Sequence, residues 1–329
     1  MSEPLDDWLA RCPDPATDPL SGMLEAGLLD PAPDYATIAL TKAALVERTG
    51  LPGVASVWGG RQLVFRHFLS FGTEAQRAEW AGRALAVAIS EPKVGAHPKL
   101  LTTRADPVPG GFRISGQKAW VTNGPSADAI IVFAITEEDR GRKRYSAFIV
   151  PRGTSGLTAA PMPDFHALRP SLHCLLTLDA CQVPAGAMLG EPGSAYDRMA
   201  LPFRDIEDAV GSFATLGALR HAIGTFAGVA LQQTEALGAI VALIAVFAAG
   251  AEAVVAALDA GRLHIGDAAL VGLRVLALDI VARLRTIADP GTDEILADLD
   301  ATLSIAAGPR LARQATLGEA AIHVGKPAA

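Results

Sequence analysis

The chain has 329 residues, half of them hydrophobic by count, which is long enough to bury a large core as one large domain or two. Its formal net charge of -7, with no local run of lysine and arginine, speaks against a nucleic-acid partner. Three cysteines, Cys12, Cys174 and Cys181, cannot all pair and sit in no CxxC or Cys/His spacing, which excludes a structural zinc site and points to reduced thiols.

The opening "MSEPLDDWLARCPDPATDP" is acidic and proline-rich, the opposite of a signal peptide, so cytoplasmic residence is expected. Residues 1–83 read as short helices broken by prolines: "SGMLEAGLLD", "DYATIALTKAALVERTG" closed by Gly50, "VWGGRQLVFRHFLSFG", and "TEAQRAEWAG" with Thr73 as N-cap. From Ala84 to about residue 195 the runs "ALAVAIS", "GFRISGQKAWVT", "DAIIVFAIT", "RYSAFIVP" and "SLHCLLTLD" are β-rich and separated by Gly, Pro and Asn turns. With no helical segment between them, they predict an antiparallel β-domain, a barrel or a sandwich.

In residues 196–329 the period changes to 3.6. Ile206, Val210, Phe213 and Gly217 share one helical face, and the pattern continues, with breaks near Gly261 to Gly266 and Asp289 to Gly291, as a bundle of four long helices. Between Glu235 and Glu252 the run "ALGAIVALIAVFAAGA" carries no charge. It is shorter than the roughly 20 residues of a spanning helix and lacks basic anchors, so a bundle core or a subunit interface is expected and a membrane is not.

Seven histidines show no HxxxH or His-carboxylate clustering, so no metal is expected; no GxGxxG follows a strand and no GxSxG elbow occurs. What stands out is "KAWVTNGPSADAIIVFAIT", which sets Trp120 beside Thr122 at an Asn-Gly turn. From the residues alone, Trp120 is either hairpin core or a platform on which something flat is stacked.

Three motifs in order, "SEPKVGAH" at Ser90 to His97, "GQKAWVTN" at Gly116 to Asn123, and Val183-Pro184 followed by Leu189-Gly190, resemble the acyl-CoA dehydrogenase family of flavoenzymes. The resemblance implies an α+β fold of N-terminal helices, a middle antiparallel β-domain and a C-terminal four-helix bundle. It also implies FAD, an acyl-CoA substrate, electron-transfer flavoprotein as acceptor, and a homo- or hetero-oligomer. On this reading Trp120 and Thr122 form one wall of the flavin site, Thr122 near N5, while Ser90, Glu91 and Gly95 belong to the covering loop.

Most members take the α-proton with a carboxylate beyond a C-terminal Gly-Gly turn, a place where this chain reads "EAAIHVGKPAA" with Lys326 at the second glycine. A minority use a glutamate on the first long helix of the C-terminal domain, ten residues before a glycine. Counting back from Gly217 gives Glu207 as the catalytic base, with Asp208 where that minority has arginine. "RHAIGTFAG" departs from the family's adenine-contacting segment, Ala96 replaces a phosphate-bonding serine and His97 an acidic residue, so the isolated chain is expected to hold FAD weakly or not at all. Two classes stay open: a dehydrogenase subunit paired with a second family member, as in the heteromeric enzymes that act on steroid side-chain thioesters, or a non-catalytic partner that keeps the fold without FAD.

Overall fold

The computed structural model describes residues 2–162, 165, 167–226, 232–264, 266–287 and 293–324. Helices α1 (Ser2–Arg11), α2 (Tyr35–Thr49), α3 (Pro52–Leu63) and α4 (Glu74–Trp80) precede the sheet. Asp34 caps α2 by accepting from Thr37 N, and Gly50 closes it at φ 69, a left-handed conformation that glycine adopts without penalty. Thr73 caps α4 in a reciprocal capping box with Gln76, as its place ahead of "EAQRAEW" predicts. The stretch "SGMLEAGLLD", expected as a helix, is a series of turns: glycines at 22 and 27 both take positive φ, and Gly22 packs against Arg11 with no room for a Cβ.

Eight strands follow: β1 (Leu85–Ala88), β2 (Arg104–Val108), β3 (Gly111–Thr122), β4 (Ala129–Asp139), β5 (Arg142–Pro151), β6 (Leu157–Pro161), β7 (His173–Pro184) and β8 (Met188–Leu189). They form one sheet in the order β6-β7-β3-β2-β4-β5-β8, with β1 beside β4. Pairing is antiparallel except that β4 runs parallel to β1 and touches β2 in parallel at Arg104. Residues 89–103 make the connection out of β1, and such a long loop frees β1 from the hairpin geometry that an antiparallel neighbour would use. That loop carries Ser90 to Gly95.

Strand β4 is buried from Ala129 to Ile135 without alternation, which is why "AIIVFAI" is a continuous apolar run. Its residues Ile130 and Val132 pack with Ile114, Val121, Phe148, Cys174 and Leu176 in the sheet's core. All three cysteines are free and buried; Cys174 serves as a small hydrophobe whose thiol burial pushes up to about 11.

The C-terminal region is helical: α5 (Leu201–Phe226), α6 (Thr234–Asp259), α7 (Ala268–Ile287), α8 (Asp293–Ser304) and α9 (Ala307–Val324). Among the described residues, five helices of 12 to 26 residues stand where four longer ones were expected. The expected break at Asp289 to Gly291 lies outside the described residues. The chain divides into two compact units, residues 1–32 with 56–204, and residues 33–55 with 205–329. In the second unit α2 joins the later helices: Asp259 accepts from the amides of Tyr35 and Ala36 at 2.9 Å. Gly217 of α5 sits so close to α2 that a Cβ there would lie 2.3 Å from the Ala43 carbonyl oxygen.

Candidate functional site

In the first unit, β3 pairs with β7, with one register shift between Ile114 and Gly116, as far as Lys118 opposite Leu176, and resumes at Val121 opposite Cys174. Strand β3 thus spends three steps where β7 spends two, which is a β-bulge at Ala119 and Trp120. A bulge re-aims side chains, and here it leaves Ala119 and Val121 both buried while the Trp120 indole stays 40% exposed. Trp120 has φ 55, a conformation that a bulky side chain rarely adopts and that costs on the order of 1–3 kcal/mol. Its N–H donates to Met162 Sδ at 3.3 Å. Strain held on an exposed aromatic points to use of that ring outside the core.

Thr122 ends the strand, and its hydroxyl lies 3.0 Å from His173 Nε2 at the start of β7. Asn123 follows at φ 60, with Nδ2 donating to the Val57 carbonyl at 2.8 Å, which pins the strand end to α3. The loop after β1 comes alongside: the Ser90 carbonyl accepts from Ala119 N at 2.9 Å, so Ser90 lies next to the bulge. Glu91 N donates to Gly95 O at 2.9 Å and Gly95 N to Glu91 O at 3.0 Å, closing a tight loop. Gly95, at φ 59, has nothing within 4 Å of the position a Cβ would take.

Glu91 turns its carboxylate inward. It accepts from Lys118 Nζ at 3.0 Å, from Thr102 N and Oγ1 at 2.8 Å each, and from Thr103 N at 2.9 Å; Lys118 also donates to the Ile89 carbonyl at 3.1 Å. Burial alone would raise Glu91's pKa, but Lys118 and the threonine hydrogen bonds outweigh it and hold the carboxyl at about 2. Burial draws Lys118 down to about 8 against the pull of Glu91. Four short contacts to its carboxylate keep Glu91 ionised. Glu91 therefore holds the loop on β3, and its side chain is spent on that task.

Two polar atoms beside this wall, Ser171 Oγ and His173 Nδ1, are buried with no hydrogen-bond partner among the described residues. The exposed indole, the Thr122 hydroxyl and the open face at Gly95 fit a flat group with polar edges such as a flavin. Ala96, an exposed residue, offers no hydroxyl, and Lys326 lies outside the described residues.

In the second unit Glu207 stands on α5 among charges. Asp208 is held by Arg310 at 2.5 Å and Arg313 at 3.2 Å, both from α9, and Asp205 is 2.9 Å from Arg313 and accepts from Gly266 N at 2.9 Å. Lys42 of α2 is buried, and burial lowers its pKa while Glu207 pulls it up. For Glu207, desolvation raises the carboxyl pKa first and Asp208 adds to it, whereas Lys42 and Arg310 oppose. Protein crowds Glu207, yet its side chain is exposed by area, so water reaches it and the upward shift is smaller than full burial would give.

Sequence reading singled out Trp120, Thr122 and Ser90, which the structure brings together, and placed Glu91 and Gly95 on the same loop. It missed His173, Met162 and the role of Lys118, although Lys118 stands inside the quoted "GQKAWVTN".

Residues 86–181, which contain this whole wall, match the family model of the acyl-CoA dehydrogenase middle domain. Over this stretch the chain is similar to the acyl-CoA dehydrogenase family. It is 34% identical over 137 residues to the mitochondrial isovaleryl-CoA dehydrogenase of Oryza sativa subsp. japonica, a stretch that is 40% of this chain and 34% of that protein. The chain spans about a third of the length of the curated relatives it matches. The acyl-CoA dehydrogenase fold itself extends over most of the chain. Butyryl-CoA dehydrogenase from Megasphaera elsdenii superposes with a TM-score of 0.73 at 20% identity, covering 91% of this chain and 82% of its own. A structure described as the electron transferring flavoprotein of Acidaminococcus fermentans does so with 0.76 at 18% identity, covering 86% and 83%.

Proposed function

We propose that the chain is an acyl-CoA dehydrogenase-like flavoprotein subunit that removes hydrogen from the α,β positions of an acyl-CoA thioester. The observation that carries this reading is Trp120, strained at positive φ on a bulge with its indole exposed, inside the stretch that matches the family's middle domain. FAD, when bound, supplies the redox chemistry. Trp120 offers a face for the ring, Thr122 and Ser90 offer hydroxyls at its edges, and the Glu91–Lys118 pair keeps the loop in place.

Glu207 is the group of the second unit suited to take a proton. Desolvation and then Asp208 raise its carboxyl pKa above the ordinary carboxylate value, while Lys42 and Arg310 oppose. The chain acts as one subunit of an oligomer, with a second copy or another family member seated on α6. Only 33% of that helix's most apolar stretch is buried, and Val246 is 62% exposed. α6 is long and apolar enough to cross a bilayer, as core helices of soluble proteins also are.

The test is reduction of bound FAD by acyl-CoA thioesters of graded chain length, followed by its visible absorbance. Bleaching by at least one thioester, lost in Glu207→Gln while flavin content stays unchanged, supports the reading. Flavin that no thioester bleaches, alone or with a second subunit, leaves the chain a non-catalytic partner.

A further inference from the structure

The Thr122 hydroxyl is a free rotor in principle, able to present either its proton or its lone pairs to a neighbour. In this chain it is not free. His173 Nε2 lies 3.0 Å from Thr122 Oγ1, and the imidazole is fixed by burial at 8% exposure and by the Phe165 ring at 4.4 Å between centroids. The strand pairing places Thr122 directly opposite His173, so the contact is built into the register of β3 and β7.

The direction of the hydrogen bond follows from the other side of the ring. Burial lowers the pKa of His173, which keeps the imidazole neutral with a single N–H. The backbone of Ser171 favours a proton on the ring, although no hydrogen bond of good geometry reaches Nδ1. Nε2 is turned to Thr122; with the ring proton on Nδ1, Nε2 is a lone-pair acceptor and the Thr122 O–H donates to it.

We propose that His173 is a positioning residue of the flavin wall, which takes up the Thr122 hydroxyl proton and leaves Thr122 Oγ1 to the cofactor as an acceptor only. The proposal rests on the flavoprotein reading above. Its consequence has a sign. The N5 position of an oxidised flavin is an acceptor and that of a reduced flavin carries an N–H, so an acceptor-only threonine favours the reduced form. Removing His173 releases the Thr122 proton, which can then donate to the oxidised ring.

The experiment compares the midpoint potential of FAD-saturated full-length chain with that of His173→Leu, Thr122→Val and the double variant. In His173→Leu the ratio of reduced to oxidised flavin at fixed potential should fall about tenfold, which for a two-electron couple is about 30 mV. In the Thr122→Val background the same change should have no effect, because the hydroxyl it acts through is gone. A potential that is unchanged or higher in His173→Leu overturns the proposal.

Nitrogen NMR of the imidazole in wild-type protein without flavin gives a second readout that needs no variant to fold. A proton on Nδ1 supports the proposal, and one on Nε2 overturns it. Wild-type protein that takes up no FAD at any concentration, alone or with a second family subunit present, contradicts the flavoprotein reading and removes the proposal with it, whereas uptake with equal potentials contradicts the proposal alone.

Discussion

Lys118 donates to Glu91 across 3.0 Å with both side chains almost wholly inside the first unit, at 0% and 5% exposure. Two charges taken out of water need each other: the pair is of uncertain net benefit against apolar residues, but removal of one partner strands the other. Glu91→Gln or Lys118→Met should each destabilise the chain by about 3–5 kcal/mol, whereas Glu91→Gln combined with Lys118→Met should cost clearly less than the sum of the two. Denaturant unfolding checks this, and a double variant whose loss equals that sum would refute it.

The same pair sets an acid limit. Glu91's carboxyl is held at about 2, below its ordinary 4.5, so the folded state binds its proton less readily than the unfolded chain does. Its contribution to stability is complete above pH 4.5 and is lost as the pH falls through 2. Wild-type protein should therefore lose more stability between those limits than Glu91→Gln does, measured as the change in denaturation midpoint with pH.

Lys42 acts on Glu207 in the opposite sense to desolvation and Asp208. Lys42→Met removes a cation that favours the ionised carboxylate, so the Glu207 pKa should rise further. A base works when deprotonated, hence the acidic limb of the kcat/KM profile should move to higher pH, with the plateau above it retained. A limb that stays put or moves down in pH would separate Lys42 from the proton-transfer step.

The exposed side of α6 carries Val241 and Val246. An apolar helix face of this kind is normally covered by a partner. Val246→Glu should shift the sedimentation of the purified chain towards smaller species without changing its helical content. Wild-type protein that sediments as a monomer at high concentration in aqueous buffer would contradict the proposed interface; recovery only in detergent would direct α6 to a membrane instead.

Much of the fold was legible because local signals agree with it. The capping box at Thr73 and the Asp34 and Gly50 caps of α2 lie within three or four residues of what they control, and the change of period near residue 200 marks the passage from sheet to helices. The bulge at Trp120 was not legible, since it depends on a register mismatch with β7, more than fifty residues on. Lys118 and Glu91 are 27 residues apart, Thr122 and His173 51, Asp208 and Arg310 102, and no spacing rule links such pairs. The Gly217 spacing that singled out Glu207 has a packing cause as well, the close crossing of α2 at Ala43.

The measurement that tests the account most directly is a titration of the full-length chain with FAD, read by tryptophan fluorescence, in wild-type protein and in Trp120→Ala. Stacking of an aromatic ring is worth about 0.5–1.5 kcal/mol beyond its buried area, so the variant should bind FAD about two- to tenfold more weakly. Saturable binding in the wild type and that loss in the variant is the predicted result. Equal affinity in the two proteins, or no binding even with a second family subunit present, would contradict the assignment of Trp120 and Thr122 to a flavin wall.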